Sequence, residues 1–232
     1  MIWSWNYFFF GVYPFIAGTT FLVGSAIRYE REQYGWSSFS SQILASKRYM
    51  MWASNLWHIG ILTLFLGHFT GFLTNILEWL GADPVEHQWI AASAGITAGV
   101  LAMIGGLMLL LRRLLDPKVR YASRFMDIFI LVWLLITLSF GLGTQFISVP
   151  DAVSGHVQNM QILIQYVRSI ATFQPDPALI RTIPIIYKIH MFCGMTVFLL
   201  FPFSRLVHIW TVPLNYAIRP YQLVRAKIRS VI

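Results

Sequence analysis

Residues 55–69 read NLWHIGILTLFLGHF, an almost wholly apolar run that nevertheless contains two histidines, His58 and His68. Apolar runs of this kind, when extended to about 20 residues, are typical of helices that cross a lipid bilayer. Ionisable side chains are disfavoured inside a bilayer and need partners there. The two imidazoles are therefore candidates for function, and their partners must be sought elsewhere in the chain.

The composition of the whole chain is that of an integral membrane protein. Of its 232 residues, 57% are hydrophobic and 11% are charged, whereas soluble domains carry about 25% charged residues. The net charge of +8 does not indicate a nucleic-acid partner, because the basic residues lie in short segments between apolar runs. The single cysteine, Cys193, excludes an intrachain disulfide.

Five apolar spans predict an all-α membrane bundle that forms one domain, residues 1–232. Backbone groups cannot remain unpaired in lipid, so each span must be a helix. An odd number of spans places the two termini on opposite sides of the membrane. The predicted spans cover residues 6–27, 51–73, 89–111, 125–147 and 184–210.

The basic residues predict the orientation of the bundle. Fourteen of the 17 Lys and Arg residues flank the spans on one side, and the other three lie in the connection before the last span or at the start of that span: Arg168, Arg181 and Lys188. Basic residues accumulate on the cytoplasmic side. We therefore expect a periplasmic N-terminus and a cytoplasmic C-terminus, with residues 213–232 forming a cytoplasmic tail.

The connection of residues 148–183 is predicted to be external. Within it, apolar residues recur with helical spacing, which indicates an amphipathic helix at the outer membrane interface. These residues are Val157, Met160, Ile164, Val167 and Ile170. The loop before the third span, with Glu78, Asp83 and Glu86, is acidic and also predicted to be external.

Four histidines in the spans form two predicted pairs. His58 and His68 lie on the second span, and His190 and His208 lie on the fifth. Because these spans run antiparallel, His58 is level with His208 near the inner face, and His68 with His190 near the outer face. The match in depth is imperfect, since ten residues of helix rise about 15 Å and eighteen rise about 27 Å. Pro202 offers a place for a kink that would reconcile the two.

Two imidazoles at each level are the ligands that a b-type haem needs. Zinc takes four ligands, whereas haem iron takes two axial ligands beyond its porphyrin nitrogens, and the covalent CxxCH motif is absent from the sequence. Small residues would let a flat macrocycle approach a helix: Gly60, Gly67, Gly71 and Gly194. The glycines of the third span, Gly95, Gly99, Gly105 and Gly106, serve either that purpose or close helix packing.

Three arginines near the predicted inner face are candidate partners of haem propionates. Arg205 precedes His208 by one turn, and Arg112 and Arg113 end the third span. A guanidinium pairs well with a carboxylate. The alternative is that these side chains extend to the lipid headgroups.

Several stretches, taken together with the histidine spacing, resemble the gamma subunit (dihaem cytochrome b) of membrane-bound respiratory nitrate reductase. The resemblance covers nearly the whole chain. The stretches are FFFGVYPFIAGTTFLVGS (8–25), SSQIL (40–44), ASNLWHIGILTLFLGHF (53–69), VLAMIGGLMLLLRRLLDPKVR (100–120) and FLLFPFSRLVHIWTVPLNYAIRPYQLVRAK (198–227).

The resemblance implies a bacterial inner-membrane subunit that oxidises menaquinol or ubiquinol near the outer face. Electrons would pass through two haem b groups to an iron–sulfur beta subunit and then to a molybdenum alpha subunit that reduces nitrate in the cytoplasm. It also implies iron ligation by His68 with His190 in the distal haem and by His58 with His208 in the proximal haem. The basic tail would dock on the iron–sulfur subunit or meet anionic lipid.

The quinol site of the family falls on Gly67 and His87. In the family, a lysine occupies the second position, in the loop before the third helix, so His87 is a departure. An imidazole can donate a hydrogen bond to a quinone carbonyl or take a quinol proton, since its pKa is ordinarily near 6.5. An exposed loop residue without a role is the alternative interpretation of His87.

Other functions remain open at this stage. A dihaem b subunit of a hydrogenase or of a sulfite- or heterodisulfide-linked oxidoreductase would need the same ligands. A transporter or proton channel would need polar residues along several helices, and the first span is almost devoid of them. A structural anchor that has lost its haem would be colourless.

Overall fold

The computed structural model describes residues 5–32, 47–73 and 79–211, and within these residues it contains helices and turns but no strand. Five of the helices are long and apolar enough to cross a membrane, which confirms the predicted all-α bundle. They are α1 (Trp5–Arg31), α2 (Arg48–Leu73), α3 (Pro84–Leu115), α5 (Phe125–Val153) and α7 (Ile185–Phe203). Two shorter helices are α4 (Pro117–Ala122) and α6 (Gln158–Ala171).

The first and second spans each contain a π-helical segment near the predicted outer face. Phe8–Val12 forms one within α1, and Phe69–Leu73 forms the last turn of α2, directly after His68. A π-turn widens the helix and changes which backbone groups are paired along it. Both segments are contacted by α6, as described below.

Two helices extend further than their apolar spans. The third begins at Pro84 because Asp83 and Glu86 form a capping box: the Asp83 carboxylate accepts from the Glu86 amide at 2.8 Å, and Glu86 accepts from the Asp83 amide at 3.1 Å. These two acidic residues were expected in a loop. The fourth span, α5, continues to Val153 and thus takes in the start of the predicted 148–183 connection.

The helices pack in the spatial order α2, α3, α5, α7, α1. Glycine brings α2 and α3 close together, since a Cβ at Gly60 would lie 2.5 Å from both the Ala98 carbonyl oxygen and the Ala102 nitrogen. The expectation that Gly60 makes room for a macrocycle is therefore wrong, because the backbone of α3 packs against this glycine. Within the described residues, α2 and α7 pack mainly on their neighbours in this order and face each other through the histidine pairs.

Helix α6 forms where the helical spacing predicted it, and it packs on the ends of three spans that are predicted to face outward. Its Leu163 and Tyr166 join a buried cluster with Phe10 of α1, Tyr187 of α7 and Ile180. The Tyr166 hydroxyl donates to the carbonyl of Phe10 at 2.8 Å, within the first π-helical segment.

The second π-helical segment has a similar partner on α6. The Arg168 Nε donates to the carbonyl of Phe72 at 3.3 Å. In both π-helical segments a backbone carbonyl thus accepts a hydrogen bond from a side chain of α6, so α6 links the ends of α1 and α2.

The span predicted over residues 184–210, with a kink at Pro202, is a helix that is interrupted after Leu200. The α-helical hydrogen bonds of α7 end at Leu200, a 3₁₀ turn covers Phe201–Phe203, Ser204 is extended, and a second 3₁₀ segment covers Arg205–Thr211. Pro202 cannot donate a backbone hydrogen bond. Arg28 of α1 stabilises the break, because its NH1 donates to the carbonyls of Pro202 at 2.6 Å and Ser204 at 2.7 Å. The predicted tail, residues 213–232, lies outside the described residues.

Candidate haem sites

The structure brings the four histidines of the spans together as two facing pairs. The ring centroids of His58 and His208 are 6.4 Å apart, with an interplanar angle of 80°. Those of His68 and His190 are 6.0 Å apart, with an angle of 43°. In each pair one ring comes from α2 and the other from α7 or the 3₁₀ segment that follows it.

These separations suit one metal ion held between two imidazoles. Nitrogen–metal bonds of about 2.0–2.1 Å on opposite sides, plus the two ring radii, place ring centroids about 6 Å apart. Haem iron, whose two axial positions lie on opposite faces of the macrocycle, has this requirement.

The backbone contacts of all four rings favour the same tautomer. Each Nδ1 lies within hydrogen-bond distance of a carbonyl oxygen, and a carbonyl oxygen can only accept. Nδ1 therefore carries the proton, and the lone pair is on Nε2. The pairs are His58 with Ser54 (2.7 Å), His68 with Leu64 (2.7 Å), His190 with Thr137 (3.0 Å) and His208 with Arg205 (2.5 Å).

The break at Ser204 reconciles the unequal spacing of the histidines along the two spans. His208 does not continue the axis of the helix that carries His190, since the chain is extended at Ser204 and resumes as a 3₁₀ segment. The Ser204 hydroxyl accepts from the Leu206 amide at 3.2 Å and so begins that segment. The predicted kink is thus a full interruption of the helix.

The ligand sets do not suit a metal ion held by protein alone. Across residues 5–32, 47–73 and 79–211, no three His, Cys, Asp or Glu side chains cluster as metal ligands would. Structural zinc needs four protein ligands and catalytic zinc needs three. Two imidazoles per site are enough for haem iron, whose porphyrin supplies the other four nitrogens.

The three arginines considered for propionates all contact protein groups. Arg205 forms a two-point ion pair with the buried carboxylate of Asp127 on α5. Arg112 is buried, and its NH1 lies 3.1 Å from the sulfur of Met50. The NH1 of Arg113 donates to the Ser123 hydroxyl at 3.1 Å. Arg112 therefore does not extend to the headgroups, and none of these contacts tests a propionate role.

The two residues considered for the quinol site lie on different helices. A Cβ at Gly67 would have no neighbour within 4 Å, so this face of α2 is open. His87 is buried in the first turn of α3, and its Nε2 would lie 3.5 Å from a Cβ at Gly71. The expectation of an exposed or loop position for His87 is wrong, because the capping box starts α3 at Pro84.

Three residues that support the histidines were missed from the sequence. Thr137 and Gly141 of α5 contact His190, and Asp127 holds Arg205, whose carbonyl accepts from His208. Asp127 stood out as the acidic residue at the start of an otherwise apolar span. No sequence signal marked Thr137 or Gly141, because their contacts depend on how α5 and α7 pack.

Comparison with known families decides the classification. The family described as "Nitrate reductase gamma subunit" matches residues 6–227. The chain belongs to this family. Gamma subunits of nitrate reductase are the membrane cytochrome b subunits of an oxidoreductase complex, so this chain is a multi-pass protein of the bacterial inner membrane.

Individual relatives support the same family. The respiratory nitrate reductase 1 gamma chain of Escherichia coli strain K12 is 45% identical over 226 residues, which cover 96% of this chain and 98% of the relative. The respiratory nitrate reductase 2 gamma chain of that strain is 41% identical, covering 98% and 100%. The nitrate reductase gamma chain of Bacillus subtilis strain 168 is 33% identical, covering 94% and 96%. The alternatives of another haem-containing oxidoreductase or a transporter are thereby disfavoured.

Proposed function

We propose that this gamma-subunit family member oxidises quinol near the outer membrane face and passes the electrons inward through two haem b groups. The observation that carries the proposal is the pair of facing imidazole sites, with ring centroids 6.0 Å and 6.4 Å apart. His68 and His190 would hold the outer haem, and His58 and His208 the inner one.

Each haem, held by its two imidazoles, would supply reversible one-electron transfer rather than oxygen chemistry. The chain's own residues supply orientation. The carbonyls of Ser54, Leu64, Thr137 and Arg205 fix the imidazole tautomers, and a hydrogen-bonded Nδ1–H makes Nε2 a better donor to iron.

His87 and Gly67 would serve the quinol. His87 lies beside the π-helical end of α2, near the level of His68, and its imidazole would accept the quinol proton. Gly67 precedes His68, and a Cβ there would meet no atom of the described residues within 4 Å, so a quinol ring could lie against it. Protons given up there would leave on the outer side, while electrons move inward.

The electrons would leave at the inner face towards soluble partners. We propose an iron–sulfur beta subunit and a molybdenum alpha subunit as those partners, on the cytoplasmic side where the basic residues are concentrated. The tail of residues 213–232 is the proposed docking segment for the iron–sulfur subunit. No role for nucleic acid is proposed.

Haem extraction from the purified membrane complex tests the proposal. We expect two haem b groups per gamma chain, both reduced when a short-chain menaquinol or ubiquinol is added, and about one after His68→Ala. His87→Leu should slow reduction by quinol but leave reduction by dithionite intact, and His87→Lys should retain part of the rate. An intact complex without extractable haem would refute the proposal.

A further inference from the structure

His190 is held differently from the other three paired histidines. His58, His68 and His208 each donate to a carbonyl three or four residues earlier in their own segment. His190 instead donates its Nδ1–H to the carbonyl of Thr137 on α5 at 3.0 Å. The helix α5 contributes no histidine to either pair, yet it fixes the tautomer of one of the four.

A glycine on α5 makes room for the His190 ring. A Cβ at Gly141 would lie 2.8 Å from Cε1, 3.2 Å from Nδ1 and 3.5 Å from Nε2 of that ring. Carbon atoms in well-packed proteins approach to about 3.5–4.0 Å. The imidazole therefore lies in the groove that the missing side chain leaves on the surface of α5.

The carbonyl and the glycine act at one place on the helix surface. In an α-helix the carbonyl of residue 137 accepts from the amide of residue 141, and a second lone pair stays available to a side chain. A side chain at position 141 would cover the turn that precedes it, which is the turn of Thr137. An alanine at 141 would thus crowd the ring and shield its hydrogen-bond acceptor.

The ring has few ways to escape such crowding. Its Nδ1 is tied to α5, and its opposite side faces His68 at a centroid distance of 6.0 Å. Rotation away from α5 breaks the Thr137 bond, and translation moves the ring towards His68. Either movement changes the orientation of the Nε2 lone pair.

We propose that Gly141 is a positioning residue for the outer haem, acting through His190 by setting the distance and orientation of its ring. This inference rests on the proposed function, because it takes His190 to be an axial ligand. In the inner pair, His58 donates to the carbonyl of Ser54 and His208 to that of Arg205, and neither acceptor lies on α5. The effect of a substitution at Gly141 should therefore be confined to one haem.

The test compares Gly141→Ala with two matched glycine substitutions in the full complex. A Cβ at Gly143, on the same interface, meets only the tip of the flexible Ile186 side chain, and a Cβ at Gly18, on α1, meets nothing within 4 Å. The readouts are haem content, the midpoint potential of each haem and the low-spin electron paramagnetic resonance signal of each haem. His190→Ala and His208→Ala assign the signals to the outer and inner haem.

We expect Gly141→Ala to shift the resonance signal and potential of the outer haem, or to lower its occupancy, and to leave the inner haem unchanged. Gly143→Ala and Gly18→Ala should match the wild type. Unchanged haems in Gly141→Ala, or equal changes in Gly143→Ala, would overturn the role of Gly141 and leave the proposed function standing. A wild-type complex without haem would instead overturn the proposed function.

Discussion

At the scale of single residues, the sequence predicts the histidines better than the groups that hold them. The apolar setting of His58 and His68 and the antiparallel spans were enough to predict which rings face each other. The acceptor of His190 was not predictable, because Thr137 lies 53 residues away and offers only its backbone carbonyl. Every residue has a backbone carbonyl, so the residue type at position 137 does not indicate this hydrogen bond. The bond can be recognised only once the packing of α5 on α7 is known.

Asp127→Asn should weaken the inner site more than the outer one. The substitution leaves the guanidinium of Arg205 without its counter-charge in a place where Arg205 and Asp127 are 14% and 5% exposed. Loss of one partner of a buried pair costs about 3 kcal/mol. We expect a lower thermal inactivation temperature and a shifted potential for the His58/His208 haem.

The control for Asp127→Asn is Asp176→Asn, at an exposed position of the connection before α7. It should match the wild type in both measurements. Equal shifts of the two haem potentials in Asp127→Asn would contradict the assignment of this ion pair to the inner site.

Tyr166 predicts a dependence of stability on alkaline pH. Burial raises the pKa of its phenol well above the ordinary value of 10.0. In the unfolded chain the Tyr166 phenol would ionise near pH 10, whereas in the folded chain it stays protonated at that pH. The buried phenol therefore contributes fully to stability below pH 10, and its contribution decreases progressively above pH 10. Tyr166→Phe, which loses the bond to the Phe10 carbonyl, should be about 1 kcal/mol less stable at pH 8.

The measurement for Tyr166 is the thermal inactivation temperature of wild type and Tyr166→Phe between pH 8 and about pH 11. The difference between the two proteins should narrow as the pH rises above 10. Tyr121→Phe is the control, because Tyr121 is 96% exposed. A difference that stays constant over this range would contradict the prediction.

At the scale of helices, apolar length predicted the five spans, while their ends and interruptions came from polar contacts. The capping box of Asp83 and Glu86 lengthens α3, and Arg28 supports the break after Leu200. Arg28 entered the sequence argument only as one of many basic residues, because nothing in its neighbourhood reveals a contact with residues 202–204. Glycine spacing was similarly ambiguous, and the structure assigns Gly60 to helix packing.

Arg28→Ala should displace the segment Arg205–Thr211 and with it the inner ligand His208. Two bonds from one guanidinium to the Pro202 and Ser204 carbonyls would be lost, each worth about 1.5–3 kcal/mol for a charged donor. We expect reduced occupancy of the inner haem, measured by haem extraction, with the outer haem retained. Arg28→Lys should recover part of the loss, since an ammonium cannot span both carbonyls in the same fixed geometry.

The control for Arg28→Ala is Arg31→Ala, an exposed residue at the end of the same helix. This variant should retain both haems. Full retention of the inner haem in Arg28→Ala would show that the helix break holds without the arginine.

Gly60→Val tests the packing of α2 on α3. The added atoms would meet the backbone of Ala98 and Ala102, which cannot move as a side-chain tip does. Overpacking of this kind costs about 1–3 kcal/mol. We expect a lower thermal inactivation temperature than for Gly18→Val on α1, where a Cβ meets nothing within 4 Å. Equal temperatures for the two variants would contradict the close approach of these helices.

At the scale of the whole molecule, α2 and α7 face each other, within the described residues, mainly through the two histidine pairs. The helices α3 and α5 connect these two spans around the bundle and form much of its core, with Trp57, Ala102 and Leu135 buried at their contacts. This arrangement supports two cofactors stacked across the membrane between α2 and α7. Membership in the gamma-subunit family agrees with such a path for electrons.

The most direct test of the account is the pairing of ligands, measured by potentiometric titration with low-spin electron paramagnetic resonance on four single variants of the purified complex. We predict that His58→Ala and His208→Ala remove or alter one haem signal. His68→Ala and His190→Ala should remove or alter the other. If His58→Ala and His190→Ala affected the same signal, or if any of the four left both signals intact, the central claim of two facing bis-histidine haem sites would be contradicted.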